Sequence, residues 1–309
     1  MNVEVRNLRR YFGATHAVDD VSFQFRSGDV FGFVGPNGAG KTTTLRIMAT
    51  LDEPTSGDVF LDGVSVREMP ETVRYRIGFV PDSLPAHSDV TVHEYLDFFA
   101  RSYGLAGARR QRALDEVEAF TGLTGLRDKL LRTLSKGMKQ RVSVGRALVH
   151  DPELLLMDEP AAGLDPRARV EFRELVALLA GMGKAVLISS HILTELTEIC
   201  NGVVIIERGR LLETGTIDDV LLRSRQAQTV AIRCCGDADA LARALLEMPH
   251  VAAVRVANRE VHAEVAGEDA EAAGLLAALV EAGHAIAEFR HVRDDLEDIF
   301  MKVTKGEIQ

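Results

Sequence analysis

A glycine-rich octapeptide, Gly35-Pro36-Asn37-Gly38-Ala39-Gly40-Lys41-Thr42, stands between the apolar run Val30–Val34 and the helix-compatible stretch Thr43–Ala49. Its spacing fits the phosphate-binding pattern G-x-x-x-x-G-K-[ST], which requires a strand before it and a helix after it. Glycines let backbone N–H groups turn inward around phosphate oxygens, and the following helix N-terminus adds partial positive charge. Lys41 is expected to reach the β- and γ-phosphates of a nucleoside triphosphate, and the Thr42 hydroxyl to ligate Mg²⁺. Gly35, Asn37, Gly38, Ala39, Gly40 and Thr43 complete the expected cradle. A glycine-rich turn could match by chance; the flanking strand and helix argue against it.

Such a loop demands an α/β sheet, and the chain supplies one. Val21–Phe25 alternates with period two, as a half-buried strand does. Leu154–Met157 and Ala185–Ser189 are short continuous apolar runs, the texture of parallel strands buried on both faces. Val59–Val66 reads as two short strands around Asp62-Gly63, a hairpin turn. Between these lie helices: Thr91-Val92-His93-Glu94 is a capping-box pattern opening a helix to about Arg101. Asp165-Pro166 caps a second helix that ends near Gly181. The charged stretch from Ala106 to Leu134 reads as mostly helical, part of a helical subdomain over about 83–150.

From about Ser224 the chain turns alanine-rich and the alternation restarts: strand 229–233, helix 238–248, strands 251–256 and 260–265, helix 269–282, strand 285–290. That order, βαββαβ, predicts a small ferredoxin-like α+β domain over 225–309, beside a nucleotide-binding domain over 1–224. A last helix is expected over Asp294–Val303. The chain of 309 residues is long enough for about two domains.

With 36 basic and 46 acidic residues the net charge is −10, so a nucleic-acid partner is not expected. The three cysteines, Cys200, Cys234 and Cys235, are too few for a disulfide framework and fit a reducing compartment. The opening Met1-Asn2-Val3-Glu4-Val5 has neither a basic flank nor an apolar core, so no export leader is expected. No apolar run approaches the ~18 residues of a membrane span, so a membrane role would need a partner.

The strand Leu154–Met157 ends in Asp158-Glu159. Two carboxylates at a strand end are common loop chemistry. Beside a phosphate loop they acquire roles: Asp158 holding Mg²⁺ through water, Glu159 polarising an attacking water as general base. No Asn-Lys-x-Asp guanine signature is present, which weighs against a GTPase.

Taken together these motifs resemble one superfamily. Leu134-Ser135-Lys136-Gly137-Met138-Lys139-Gln140-Arg141 resembles the signature sequence of ABC ATPases, Ala161-Ala162-Gly163-Leu164-Asp165 their D-loop, and His191 their switch histidine. The order spans most of residues 1–220. The resemblance implies an ATP-binding subunit of an ABC transporter, using ATP and Mg²⁺. It implies head-to-tail homodimers in which Ser135 and Gly137 of one subunit face the γ-phosphate held by the other. His191 would contact that phosphate and orient the water, although a lone histidine is more often structural. Tyr11-Phe12-Gly13 resembles the loop whose aromatic stacks on adenine; the register to Gly13 favours Phe12, with Tyr11 adjacent and a core aromatic the plainer reading.

Three departures from the family pattern stand out. Asp82 replaces the usual Gln after strand Ile77–Val80, adding a carboxylate able to serve Mg²⁺ or its water. Lys136 and Met138 replace Gly and Gln in the signature, and Ala161-Ala162 replaces a Thr-Ser pair. Asp82 and the Leu-Ser-x-Gly-Met form resemble the ABC-2 exporter branch. So does Asp295-Leu296-Glu297-Asp298-Ile299-Phe300, although those charges could equally be a solvated helix face. The tail domain carries no phosphate loop, and Cys234-Cys235 are too close for usual zinc spacing; it is a regulatory, docking or stabilising unit. The implied partner is an integral membrane permease, which puts the chain peripherally on the cytoplasmic face of the membrane. The competing class is a soluble ABC ATPase acting on nucleic acid or ribosomes. One phosphate loop, and no sustained heptads between Lys41 and Ser135, weigh against it.

Overall fold

The computed structural model describes residues 1–84, 89–192, 196, 198–224, 227–257, 260–267 and 269–292. Contacts divide the chain into two compact units, the first built on Met1–Ile217 and the second beginning at Asp218.

The first unit holds two sheets. β1 (Asn2–Phe12), β2 (Thr15–Arg26), β4 (Ser56–Leu61) and β5 (Val64–Ser65) form an antiparallel sheet in the order β2-β1-β4-β5. The β4–β5 turn is the expected hairpin: Asp62 and Gly63 have φ of 51° and 81°, positive at both central positions as a type I′ turn needs. The second sheet runs β10-β9-β3-β8-β7-β6. It comprises β3 (Val30–Val34), β6 (Ile77–Val80), β7 (Leu154–Met157), β8 (Ala185–Ser190), β9 (Gly202–Glu207) and β10 (Arg210–Thr216). The pairs β6–β7, β7–β8, β8–β3 and β3–β9 are parallel, while β10 closes one edge antiparallel. The unbroken burial of β3, β7, β8 and β9 explains their continuous apolar composition. Helix α1 (Lys41–Met48) contributes Leu45, Ile47 and Met48 to a core shared with Val3, Val5 and Leu8 of β1 and with Leu154 and Leu187 of the parallel sheet. The phosphate loop is therefore seated on the unit's main core.

α2 (Pro70–Arg74) follows the hairpin, and α3 (Val92–Ser102) begins at the expected capping box, with Thr91 and Glu94 exchanging both bonds. The stretch from Ala106 to Leu134 is less helical than its charge pattern suggests. α4 (Gly107–Phe120) ends before Gly122 in a left-handed turn, and only two 3₁₀ turns follow. The chain is pinned there instead: Arg127 pairs at 2.9 Å with the buried carboxylate of Glu118, which also meets His93 at 2.7 Å. α5 (Lys136–Leu148) is capped by Ser135 and α6 (Pro166–Gly181) by Asp165.

In the second unit, β11 (Ala227–Cys234), β12 (Val251–Ala257), β13 (Glu260–Ala266) and β14 (Ile286–Val292) form an antiparallel sheet ordered β12-β13-β11-β14. Helices Ala238–Leu246 and Asp269–Glu281 pack Leu241, Leu245, Leu275 and Leu279 onto Val230, Ile232, Val261 and Ala263. The helix expected over 294–303, including Asp295–Phe300, lies outside the described residues. Among the described residues no helix is long and apolar enough to cross a membrane, and all three cysteines are free.

His150, just past α5, stacks on Tyr103 with ring centroids 3.7 Å apart and donates Nε2–H to the Ile77 carbonyl at 3.0 Å. Its buried Nδ1 has no partner, so a second proton would have nothing to bond. Burial pushes this imidazole down to about 4, against the smaller opposing pull of the Ile77 carbonyl and Asp151. Between that value and the ~6.5 of an unfolded histidine, only the unfolded chain takes up the proton. The contribution is therefore intact above ~6.5 and is lost progressively as pH falls toward 4. Comparing Tm at pH 7 and 4.5, the wild type is expected to lose about 2–3 kcal/mol more than His150→Gln.

Candidate functional site

β3, β8, β7 and β6 are consecutive neighbours, and all run parallel. Their carboxyl ends therefore open on one side, where ligands bind in open α/β sheets. β3 delivers the phosphate loop, β8 delivers Ser189 and His191, β7 delivers Asp158-Glu159, and β6 delivers Asp82. Asn37, Gly38, Ala39, Gly40, Lys41, Thr42 and Thr43 line a cleft of about 580 Å³ together with Asp82, Glu159 and His191. Thr15, Ala17 and Ala162 line it too.

The loop's glycines answer to close approach. A Cβ on Gly40, whose φ is 102°, would collide with the Ala17 carbonyl oxygen, and one on Gly35 with the Ile206 carbonyl oxygen. No side chain caps α1 at Gly40, so the first N–H groups of the helix are left for an anion. Lys41 is buried and donates Nζ–H to the Gly35 and Pro36 carbonyls at 2.6 and 3.2 Å. Burial pulls its ammonium below the usual lysine range, opposed by the nearby Glu159 and Asp158.

Glu159 sits between two groups: Oε1 lies 3.5 Å from Lys41 Nζ and Oε2 lies 2.8 Å from His191 Nδ1. Its φ of 46° is left-handed, a conformation that persists only when its surroundings hold it. Ser189 supplies that hold. Its fully buried hydroxyl donates to Asp158 Oδ1 at 2.6 Å and accepts the Glu159 N–H at 2.9 Å. One side chain thus holds the Asp158 carboxylate and the Glu159 backbone. The sequence reasoning missed it; the signal was the polar pair Ser189-Ser190 closing an otherwise apolar strand.

Hard oxygen donors suit Mg²⁺: Thr42 offers a hydroxyl and Asp82 a carboxylate in the cleft wall, while Asp158, buried and bonded to Ser189, is not among the residues that line it. Mg²⁺ prefers one or two carboxylates plus substrate phosphates to a cage built wholly of protein.

The aromatic pair divides cleanly. Tyr11 stacks on His16 at 4.0 Å and donates its hydroxyl to Asp19 at 2.9 Å. Phe12 is 50% exposed and pairs across the strand with Thr15, a residue of the cleft wall. Both belong to the end of β1 rather than to a loop. Ser135 and Gly137 are not brought to the cleft within the chain. Ser135 is the exposed cap of α5, and Gly137 lines a smaller hollow of about 230 Å³ between α5 and α6.

The sequence profile of the ABC transporter family matches residues 18–162. The Nod factor export ATP-binding protein I of Cupriavidus pinatubonensis is 35% identical over 99% of this chain and 92% of its own. The linearmycin resistance ATP-binding protein LnrL of Bacillus subtilis is 30% identical over 98% of each. A solved ATP-binding subunit of an ABC transporter, 32% identical, superposes with a TM-score of 0.66 over 73% of this chain and 94% of that one. With its phosphate loop and Glu159 assembled in one cleft, this chain belongs to the ABC transporter family, as an ATPase subunit whose hydrolysis is coupled to transport.

Proposed function

We propose that the chain is the motor of an ABC-2 type exporter, working as a head-to-tail homodimer on a separate integral membrane permease at the cytoplasmic face. The observation that carries this is an incomplete site. Lys41, Glu159 and His191 converge on one cleft, while the Ser135-capped start of α5 stands exposed outside it. A second copy placed head to tail would bring those N–H donors to the γ-phosphate. Export is the function named for the Cupriavidus pinatubonensis relative, and resistance for the Bacillus subtilis one; Asp82 and the Leu134-Ser135-Lys136-Gly137-Met138 signature agree with the ABC-2 branch.

In this reading Phe12 stacks on adenine, and the loop residues Gly35, Asn37 to Thr43 hold the phosphates. Thr42, Asp82 and Asp158 hold Mg²⁺, which neutralises charge on the phosphates when bound. Glu159 takes the proton of the attacking water, with His191 holding the carboxylate and Ser189 its backbone. Residues 1–224 form the ATP-binding domain, with a helical subdomain over about 83–150. Residues 225–309 form an accessory domain whose βαββαβ order and β12-β13-β11-β14 sheet support a ferredoxin-like reading. No nucleic acid takes part.

The permease contact falls at a hollow of about 300 Å³ lined by Arg74, Phe79, Pro81, Phe99, Tyr103 and Arg146, where an apolar floor and two cations suit a short cytoplasmic helix of the permease. The sequence Ala86-His87-Ser88-Asp89, just before the capped helix, is expected to form an exposed loop at this lobe; all of it but Asp89 lies outside the described residues. A photo-crosslinker at Tyr103 in cells is expected to capture a polytopic membrane protein. Capture only of the same chain, or of nucleic acid or ribosomal protein, would sink the transporter reading.

A further inference from the structure

Arg10 has an unusual position for a cation. It lies on β1 two residues before Phe12. Its guanidinium carbon stands 4.5 Å from the centroid of the Phe12 ring. Its Nε is buried without a hydrogen-bond partner, and among the described residues no carboxylate pairs with it. Its neighbour Arg9, by contrast, is ion-paired with Asp20 at 3.0 Å. A cation held partly buried with an orphaned donor is costly, and the one group it visibly meets is the aromatic ring.

We propose that Arg10 is a positioning residue for the nucleotide base: it covers one face of Phe12, fixes the ring, and leaves the opposite face to stack on a purine. This rests on reading Phe12 as the adenine platform. The physical argument has two parts. A guanidinium lying flat on a ring is attracted by the ring's negative face. A half-exposed phenylalanine at a strand end otherwise samples several rotamers, and immobilising it on binding costs affinity. Arg10 meets that cost before the nucleotide arrives. The alternative use of an arginine near a phosphate loop is to attract the phosphates directly, and the two uses respond differently to a ligand without a base.

The test measures equilibrium binding of ATP and of inorganic tripolyphosphate, each with Mg²⁺, to the full chain and its variants. Phe12→Ala is expected to weaken ATP and leave tripolyphosphate unchanged. Arg10→Ala is expected to weaken ATP about three- to tenfold, again with tripolyphosphate unchanged. Unchanged tripolyphosphate binding also reports that the variant is folded. Arg10→Lys should recover part of the loss, since an ammonium still sits on the ring without the planar overlap. Adding Arg10→Ala to Phe12→Ala should cost nothing more. Equal weakening of ATP and tripolyphosphate by Arg10→Ala would overturn the proposal in favour of a phosphate role, and an inert Arg10→Ala beside a damaging Phe12→Ala would overturn it alone. An inert Phe12→Ala would take down the adenine platform and this inference with it.

Discussion

Glu159→Gln is expected to stop turnover while leaving ATP in place. The amide keeps the shape of the carboxylate, and its oxygen can still accept a hydrogen bond from Lys41 or from His191 Nδ1–H. It cannot accept the proton of the attacking water. General-base catalysis is typically worth ~10²–10⁴-fold, so phosphate release should fall by that factor. Binding should survive, because the phosphates are held by the loop backbone, Lys41 and Mg²⁺, and removing a negative charge beside the γ-phosphate favours the ATP-bound state. If the exposed start of α5 engages that phosphate from a second copy, the variant should accumulate as an ATP-bound dimer. Ser135→Arg in the same chain should dissolve the dimer by placing bulk at the interface. Phosphate release together with size exclusion and light scattering, with and without ATP and Mg²⁺, reads both effects. Turnover at the wild-type rate would remove Glu159 as the base. A dead variant that stays monomeric with ATP would keep the base and count against self-assembly away from the permease.

The second large effect concerns affinity. Lys41→Ala removes the buried ammonium and leaves the Gly35 and Pro36 carbonyls without their donor. A hydrogen bond to a charged group is worth ~1.5–3 kcal/mol, so the Kd for ATP should rise about 10- to 100-fold. AMP, which has no β- or γ-phosphate for Lys41 to reach, should bind nearly as before. Titration with fluorescent analogues of both nucleotides separates the two. Equal losses for ATP and AMP would mean that the loop itself had collapsed, and an unchanged ATP Kd would remove Lys41 from the site.

What could be read in the sequence was carried by local spacing. The phosphate loop, the Asp158-Glu159 pair, the Thr91 and Asp165 caps and the Asp62-Gly63 turn each declare themselves within a few residues, because each is a short-range device. The five parallel strands were legible only in part: Ile77–Val80 was read as a strand, but β9 is a short apolar run that period alone cannot assign. β1 escaped because four of its eleven residues are charged and its pairing with β2 is broken by register shifts, so no clean alternation survives. In the site, Ser189 and Arg10 were illegible for a common reason. Each acts on a partner fixed by tertiary structure, Ser189 across two strands and Arg10 through an unpaired burial, and neither residue type is unusual where it stands. The helical stretch from Ala106 to Leu134 was over-read because Gly122 and the buried Glu118–Arg127 pair end the helix where charge pattern alone would continue it.

The position of β3 between β8 and β9 sets a timetable for synthesis. Val30 pairs with Val186, and Phe31 with Gly202, so the phosphate loop leaves the ribosome long before either strand that must flank it. At ~5–20 residues per second, about 10–30 s pass in which the loop is exposed but its cleft does not exist. Such distant pairings form late. A nascent chain that ended before β9 would carry the complete motif and hold no nucleotide. The capacity to bind ATP thus arrives in one step near the end of the first unit, which spares the half-made motor from turning over fuel.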